Sequence, residues 1–457
     1  MGKSVSLNKI TVLAFISFLA ITLITLFKNA LELEDAEQAY YSQWLRWGYD
    51  DQPPLYTWLQ YGVNKIFGIN RISFSFLRGI LFAGILLFLY RFSVMRIKYV
   101  DKSKLAILLL VLIPVFIDFT FRRLSHTSLL CFSIIGTYYC IQLMIRKKSF
   151  LNYLLFGAFI GVGLLSKYNY IFFLISFILV SVWDKELRCA VCNPKILVSI
   201  LVSLLLIAPH SYWLIGPEGF ESFLQESVKE KVGNDKGLHG FTFVPVLVYL
   251  KGLLSLSFMI LVLLVIAYYL KILEFKKPGF NWFTKMLLVQ LLILGLFFLI
   301  FQSPKVETRW LLPLCIPFTV LLLESVELNR SNKLVTIGFW LFYAVILIQT
   351  VRTPIEKLLE IPSSVHFGFQ PVANKLSSKY IDYQWVLPNV TYAGNVRLLH
   401  PEKIIFSTDD YSLSNKNNKN KESIKVSIDK SINQSSIAVD SIIGFGKEKE
   451  NLYFYIN

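Results

Sequence analysis

Long apolar runs alternate with short polar connections over the first three quarters of the chain. The runs are too long for strands. Eleven of them approach or reach the roughly 20 residues that a helix needs to cross a bilayer, at 9–27, 76–95, 104–119, 127–145, 151–166, 168–183, 196–214, 244–270, 286–301, 310–325 and 334–350. Lipid offers no hydrogen-bond partners, so each such segment satisfies its own backbone as a helix. The runs on either side of Ser166-Lys167 predict two helices joined by a very tight turn. The first run reaches Phe27-Lys28 with no small-residue cleavage site and reads as a retained anchor rather than a removed signal peptide.

From about Val351 the pattern turns polar, with short alternating runs at Gln384-Trp385-Val386-Leu387 and Lys403-Ile404-Ile405-Phe406. The low-complexity stretch from Ser414 to Lys421 reads as a solvated loop, and Asn451 to Ile456 as a strand. The expected architecture is an all-α polytopic membrane domain of about eleven spans over 1–350, with an interfacial loop at 28–75. A small C-terminal α/β domain follows over 351–457.

Composition sharpens this picture. Hydrophobic residues make up 55% and charged residues 17% of 457 positions, against about 25% charged in an ordinary soluble domain. A disordered chain, a disulfide scaffold and a plain cytosolic enzyme are excluded. The formal charge of +16 suits either nucleic acid or membrane orientation, and its distribution decides for the membrane. Lys3, Lys9, Arg91, Arg96, Lys98, Lys102, Lys104, Arg146, Lys147, Lys148, Lys185, Arg188, Lys195, Lys271, Lys276, Lys277, Lys285, Arg330 and Lys333 fall in one alternate set of short connections. By the positive-inside rule these are cytoplasmic, which puts the C-terminal domain outside and leaves no nucleic-acid partner. The five cysteines have no framework spacing, and Cys189-x-x-Cys192 lacks the second Cys/His pair that a zinc site needs.

The opposite face gathers the unusual polar residues. Glu32, Glu34, Asp35 and Glu37 crowd the first turns of an amphipathic helix. They suit its N-terminal dipole, and equally a general base at the membrane surface; spacing leaves both readings open. Trp47 to Leu59 follows, with the rigid Pro53-Pro54 pair. Its aromatics fit an interfacial belt or a platform for a sugar or lipid headgroup, to which Tyr40, Tyr49, Asp51, Pro53, Pro54 and Tyr168 would contribute. Four cations, Arg122, Lys167, Lys305 and Arg309, project to the same side. Singly each reads as snorkelling. Facing carboxylates, they suit a lipid-linked phosphate whose departing charge they neutralise. The loop at 216–243 adds Glu218, Glu221, Glu226, Lys229, Glu230, Lys231, Asp235 and His239. His126 and His239 read as structural. There is no P-loop or dinucleotide fingerprint; the only cofactor the carboxylates suggest is a divalent cation, which no His/carboxylate spacing demands.

At these residues the chain resembles the GT-C class of membrane glycosyltransferases, family 39, which includes protein O-mannosyltransferases and bacterial aminoarabinose transferases acting on lipid A. Glu34-Asp35-Ala36 stands where that family has Asp-Glu-Ala, and Asp51-Gln52-Pro53-Pro54-Leu55 matches its Asp-x-Pro-Pro-Leu. Gly161-x-Gly163-Leu164-Leu165-Ser166-Lys167-Tyr168 is similar to its Gly-Leu-x-x-Lys-Tyr turn, and Lys305 to Pro313 to its late outer loop. Tyr392 to Pro401 resembles a motif in the outer domain of uncharacterised bacterial members. The resemblance implies a transferase in the bacterial inner membrane that moves a sugar from a polyprenyl-phosphate donor to an envelope lipid, glycan or protein. It implies a catalytic carboxylate, in the order Asp35, Glu34, Glu37 because the acidic pair is inverted here, and donor-phosphate contacts from Lys167 and Arg309, then Lys305 and Arg122. The alternative is a flippase for a lipid-linked sugar, which predicts charges near the bilayer midplane and paired halves. A third reading, an envelope scaffold, leaves Lys167 in its two-residue turn unexplained.

Overall fold

The structure, a computed structural model, describes residues 2–49, 52–223, 242–303, 306–329, 331–410, 422–428 and 438–456. Helices α1 (Gly2–Leu23), α2 (Leu33–Tyr41), α3 (Leu55–Phe67), α4 (Arg71–Arg96), α5 (Val100–Leu108), α6 (Pro114–Arg122), α7 (His126–Arg146) and α8 (Phe150–Leu164) make up the first half. They are followed by α9 (Tyr170–Trp183), α10 (Lys185–Val191), α11 (Ile196–Ile215), α12 (Pro217–Ser222), α13 (Val244–Tyr269), α14 (Trp282–Ile300), α15 (Thr308–Glu324) and α16 (Ser331–Leu358).

All eleven apolar runs are helical, but they are not eleven equal spans. Among the described residues seven helices are individually long and apolar enough to cross a membrane, or eight if one bent pair counts as a span. That pair is the third run. It breaks at Ile113, where Val100–Leu112 and Pro114–Arg122 meet at 74°. Pro114 has no N–H to continue the ladder and disfavours helical backbone in the residue before it. α8 and α9 are short, at 15 and 14 residues.

The connections gather on two faces of the helix bundle. On one, Arg96 grips Glu324 at 2.6 and 3.1 Å, Lys285 pairs with Asp184 at 2.8 Å, and Lys195 donates to the Lys148 carbonyl at 2.7 Å. A small antiparallel pair, β1 (Leu273–Phe275) with β2 (Val326–Leu328), ties two more of these basic connections together. The other face carries the loop after α1, the α8–α9 turn and the start of α15.

Close approach of α8 to α11 rests on Gly157. A Cβ there would lie 2.4 Å from the Ser199 carbonyl oxygen, and both chains at that contact are backbone. Gly157→Ala is therefore expected to cost about 1–3 kcal/mol, the usual range for overpacking. The readout is a lower melting temperature in detergent.

The helix α16 does not stop at 350. It continues to Leu358, because its polar last turns have partners: Arg352 reaches Asp118 at 2.5 Å and Glu356 at 2.7 Å. Beyond it, α17 (Gln370–Lys379) and α18 (Val390–Leu399) accompany a five-stranded mixed sheet of β3 (Gln384–Leu387), β4 (Ile405–Ser407), β5 (Ser423–Ser427), β6 (Asp440–Phe445) and β7 (Glu450–Ile456). The order is β4-β3-β5-β7-β6, with β3 parallel to both neighbours and the β7 pairings antiparallel. The strands expected near 384–387 and 451–456 are β3 and β7; the low-complexity stretch from Ser414 to Lys421 lies outside the described residues.

This small domain does not bury its core alone. Trp385, Leu387, Val396 and Phe454 form one cluster with Tyr40, Tyr41 and Tyr49 of the loop after α1. The first loop and the C-terminal domain are thus a single packed unit, although about 330 residues separate them in the chain.

Candidate active site

Helix α2 is nine residues long, and each of its faces meets a different part of the protein. Side chains three and four apart share a face, so Glu34, Glu37 and Gln38 point one way while their neighbours are committed elsewhere. Glu34 is held at both oxygens. Oε2 accepts from the Ser125 N–H at 2.7 Å and the Ser125 hydroxyl at 2.9 Å, and Oε1 accepts from Arg309 Nη1 at 3.1 Å. Ser125 sits at the junction of α6 and α7, so the bend at Pro114 delivers it.

Glu34 and Glu37 line a cavity of about 340 Å³ together with Gln52, His126, Lys167, Tyr168 and Arg309. That polar end continues into a wall of Phe172, Leu294, Phe297, Phe298, Phe301 and Trp310. Lys167 occupies the α8–α9 turn, buried, with Nζ donating to Thr127 Oγ1 at 3.1 Å. The turn is tied to the first loop by the Leu55 N–H, which donates to the Leu165 carbonyl at 3.2 Å. Pro53 and Pro54 are buried behind that contact. Their role is to launch α3 rather than to offer a surface. Arg309 begins α15 and is the more open of the two cations, with its side chain 32% exposed.

His126 is fixed from both nitrogens, with Nδ1 3.2 Å from the Ser166 carbonyl and Nε2 3.1 Å from Gln38 Nε2. The carbonyl can only accept, so this contact suits an N–H at Nδ1. Gln38 in turn accepts from Thr57 at 2.9 Å. Tyr168 stacks on His210 and meets Phe223 edge-on.

Several residues expected at the site lie elsewhere. Asp35, first in the catalytic order, does not line the cavity. It is 2% exposed and paired with Arg78 of α4, itself 0% exposed. Arg122 does not line it either. It donates to Glu32 at 3.1 Å and lies 3.8 Å from Glu356. Lys28 joins the same layer, reaching Glu32 at 3.1 Å and the Arg122 carbonyl at 2.8 Å. Burial pushes the Lys28 ammonium below its usual range, while for Glu32 burial is outweighed by Lys28 and Arg122, which hold its carboxyl low. Tyr40 and Tyr49 are no platform. They sit in the core shared with the C-terminal domain, donating to Asp410 at 2.8 Å and the Trp44 carbonyl at 2.7 Å. Burial raises both phenols, Tyr49 to about 12. Lys305, Asp51 and the charged residues of the 216–243 loop from Glu226 to His239 lie outside the described residues. Among the described residues, no group of three His, Cys, Asp or Glu side chains converges as a metal site.

Arg78 was not singled out in the sequence, although an Arg within an apolar span is costly and rare.

A membrane-helix bundle with this cavity and an α/β appendage defines a class, and the comparisons agree. The fold is that of the GT-C membrane glycosyltransferases. ArnT from Cupriavidus metallidurans bound to undecaprenyl phosphate superposes with a TM-score of 0.63 at 12% identity, covering 99% of this chain and 98% of that one. Its apo form gives 0.61 at 12% identity, with 97% of each chain covered. Residues 51–213 match the family described as dolichyl-phosphate-mannose-protein mannosyltransferase. Among curated proteins, the lipopolysaccharide core galacturonosyltransferase RgtA of Rhizobium johnstonii is 28% identical over 307 residues, 65% of this chain and 60% of that protein. RgtB of the same organism, also a lipopolysaccharide core galacturonosyltransferase, is 34% identical over 188 residues, 41% of this chain and 38% of that protein. The matches thus span less than two thirds of these relatives' length. Together the findings agree with the resemblance to the GT-C membrane glycosyltransferases of family 39.

Proposed function

We propose that the protein transfers a sugar from a polyprenyl-phosphate carrier to a lipopolysaccharide-core type acceptor, on the face of the inner membrane opposite the basic, cytoplasmic connections. The observation that carries this reading is the single cavity in which Lys167 and Arg309 face Glu34 and Glu37 at the polar end of an aromatic wall. An apolar wall of that kind suits an isoprenoid tail, and the two cations suit its phosphate. The acceptor hydroxyl oxygen attacks the anomeric carbon as the carbon–oxygen bond to the phosphate breaks, inverting the centre. The electron pair leaves with the polyprenyl phosphate, whose charge Lys167 and Arg309 balance.

The acceptor proton passes to a carboxylate, and geometry favours Glu34 over Asp35. An ionised carboxylate offers about four acceptor sites. Ser125 and Arg309 take three of those on Glu34, which orients the fourth. A flippase is less well supported. Arg78, a charge within the α4 span, is sealed against Asp35 and does not line the cavity. The sugar named for RgtA and RgtB, galacturonic acid, is the first to test.

The test is complementation of a strain lacking the gene, with lipopolysaccharide core analysed by mass spectrometry. Wild type is expected to restore a uronic acid residue, and Lys167→Ala to leave the core unmodified while still accumulating in the membrane. A core identical with and without the gene would remove the proposal.

A further inference from the structure

The segment from Tyr392 to Arg397 belongs to the C-terminal domain, yet its main contacts are with α2. Three of them divide the helix between them. At its start, the Asn395 side chain pairs with the Leu31 backbone in both directions, accepting from the N–H at 2.7 Å and donating to the carbonyl at 3.2 Å. At its middle, Gly394 packs so close that a Cβ would lie 1.9 Å from the Ala36 carbonyl oxygen. At its end, Arg397 donates to the Ala39 carbonyl and reaches Ser42 Oγ at 3.3 Å. Ala36 and Ala39 are fully buried under this contact.

An isolated helix of nine residues is not stable in water. The position of α2 is therefore imposed from outside, and α18 supplies one side of the mould. The cation at its C-terminal end satisfies a carbonyl that the helix itself leaves open and opposes the negative end of its dipole. The same helix carries Glu34, whose distances to Arg309 and Ser125 depend on where α2 sits.

We propose that Asn395 and Arg397 are positioning residues for transfer, setting the height and rotation of α2 so that Glu34 meets the donor site. The C-terminal domain is then a working part of the active site rather than an appendage. This rests on the transferase reading above, and the experiment separates the two. Full-length Asn395→Ala, Arg397→Ala and Arg397→Lys are purified with wild type and with Lys375→Ala. The last breaks a contact to Asp440 on the far side of the domain and controls for general loosening. Three quantities are measured: hydrogen exchange over 33–41, affinity for undecaprenyl phosphate, and turnover with undecaprenyl-phosphate galacturonic acid.

Asn395→Ala and Arg397→Ala are expected to speed exchange in α2 and lower turnover by about a hundredfold, the effect of misplacing a reacting group by about 1 Å. Undecaprenyl phosphate affinity stays within about twofold, since no phosphate ligand has moved. Arg397→Lys recovers part of the turnover and Lys375→Ala retains it. Unchanged exchange in α2, or faster exchange with normal turnover, overturns the proposal, as does an equal loss in Lys375→Ala. If wild type transfers no sugar, the assigned reaction fails, and the exchange measurement alone decides whether α18 holds α2.

Discussion

Asp35→Asn is expected to strip the membrane of folded protein, and Arg78→Met to do the same. Each removes one half of an ion pair that has almost no contact with solvent. Breaking a buried pair costs about 3–5 kcal/mol, because the surviving charge has nowhere to go. The surroundings offer little relief: Asp35 Oδ2 and Arg78 Nε and Nη2 have no hydrogen-bond partner among the described residues. Replacing both halves is a different matter, since well-packed apolar substitutes are often neutral. Asp35→Leu with Arg78→Met is therefore expected to restore a monodisperse protein by size-exclusion chromatography, and with it measurable sugar transfer. The double variant also decides the role of Asp35. If it folds and is inert while Glu34→Gln remains active, Asp35 is the catalytic carboxylate after all.

Glu34→Gln is expected to have the opposite profile, abundant folded protein with turnover lower by about 10²–10⁴, the range for losing a general base. The amide keeps the shape and can still accept from Ser125, so the local packing survives. It loses the charge that holds Arg309 at 3.1 Å. Arg309 is then free to turn to the donor phosphate, so affinity for undecaprenyl phosphate should hold or rise. That combination, slower transfer with undiminished binding, is diagnostic of a group acting in the transition state. Turnover equal to wild type would end the assignment of Glu34.

The acidic cluster was legible as a candidate site, but the partners of its members were not. Adjacent helical residues point about 100° apart, so Glu34 and Asp35 necessarily face different partners. Nothing local says which of them meets the cavity. The answer depends on Ser125 and Arg309 lying on one side of α2 and Arg78 on the other. The aromatic loop misled for a related reason. Tyr40 and Tyr49 suit a sugar platform by composition, yet they are packed into one core with the C-terminal domain. Lys167 was legible only as one of several cations gathered opposite the carboxylates, and it does line the cavity.

By itself the sequence determined the helical runs, their sorting onto two faces and the crowding of charge on one of them. These follow from a requirement each segment meets alone: a backbone in lipid must satisfy itself, and charges collect where the chain leaves the apolar layer. Only the tertiary structure decided which carboxylate faces the cations, that α16 continues past the apolar zone, and that the last domain is built onto the first loop. Those outcomes rest on contacts between residues hundreds of positions apart, such as Glu34 with Arg309 and Leu31 with Asn395. Such contacts are set by how the helices pack, and a local pattern carries no record of that.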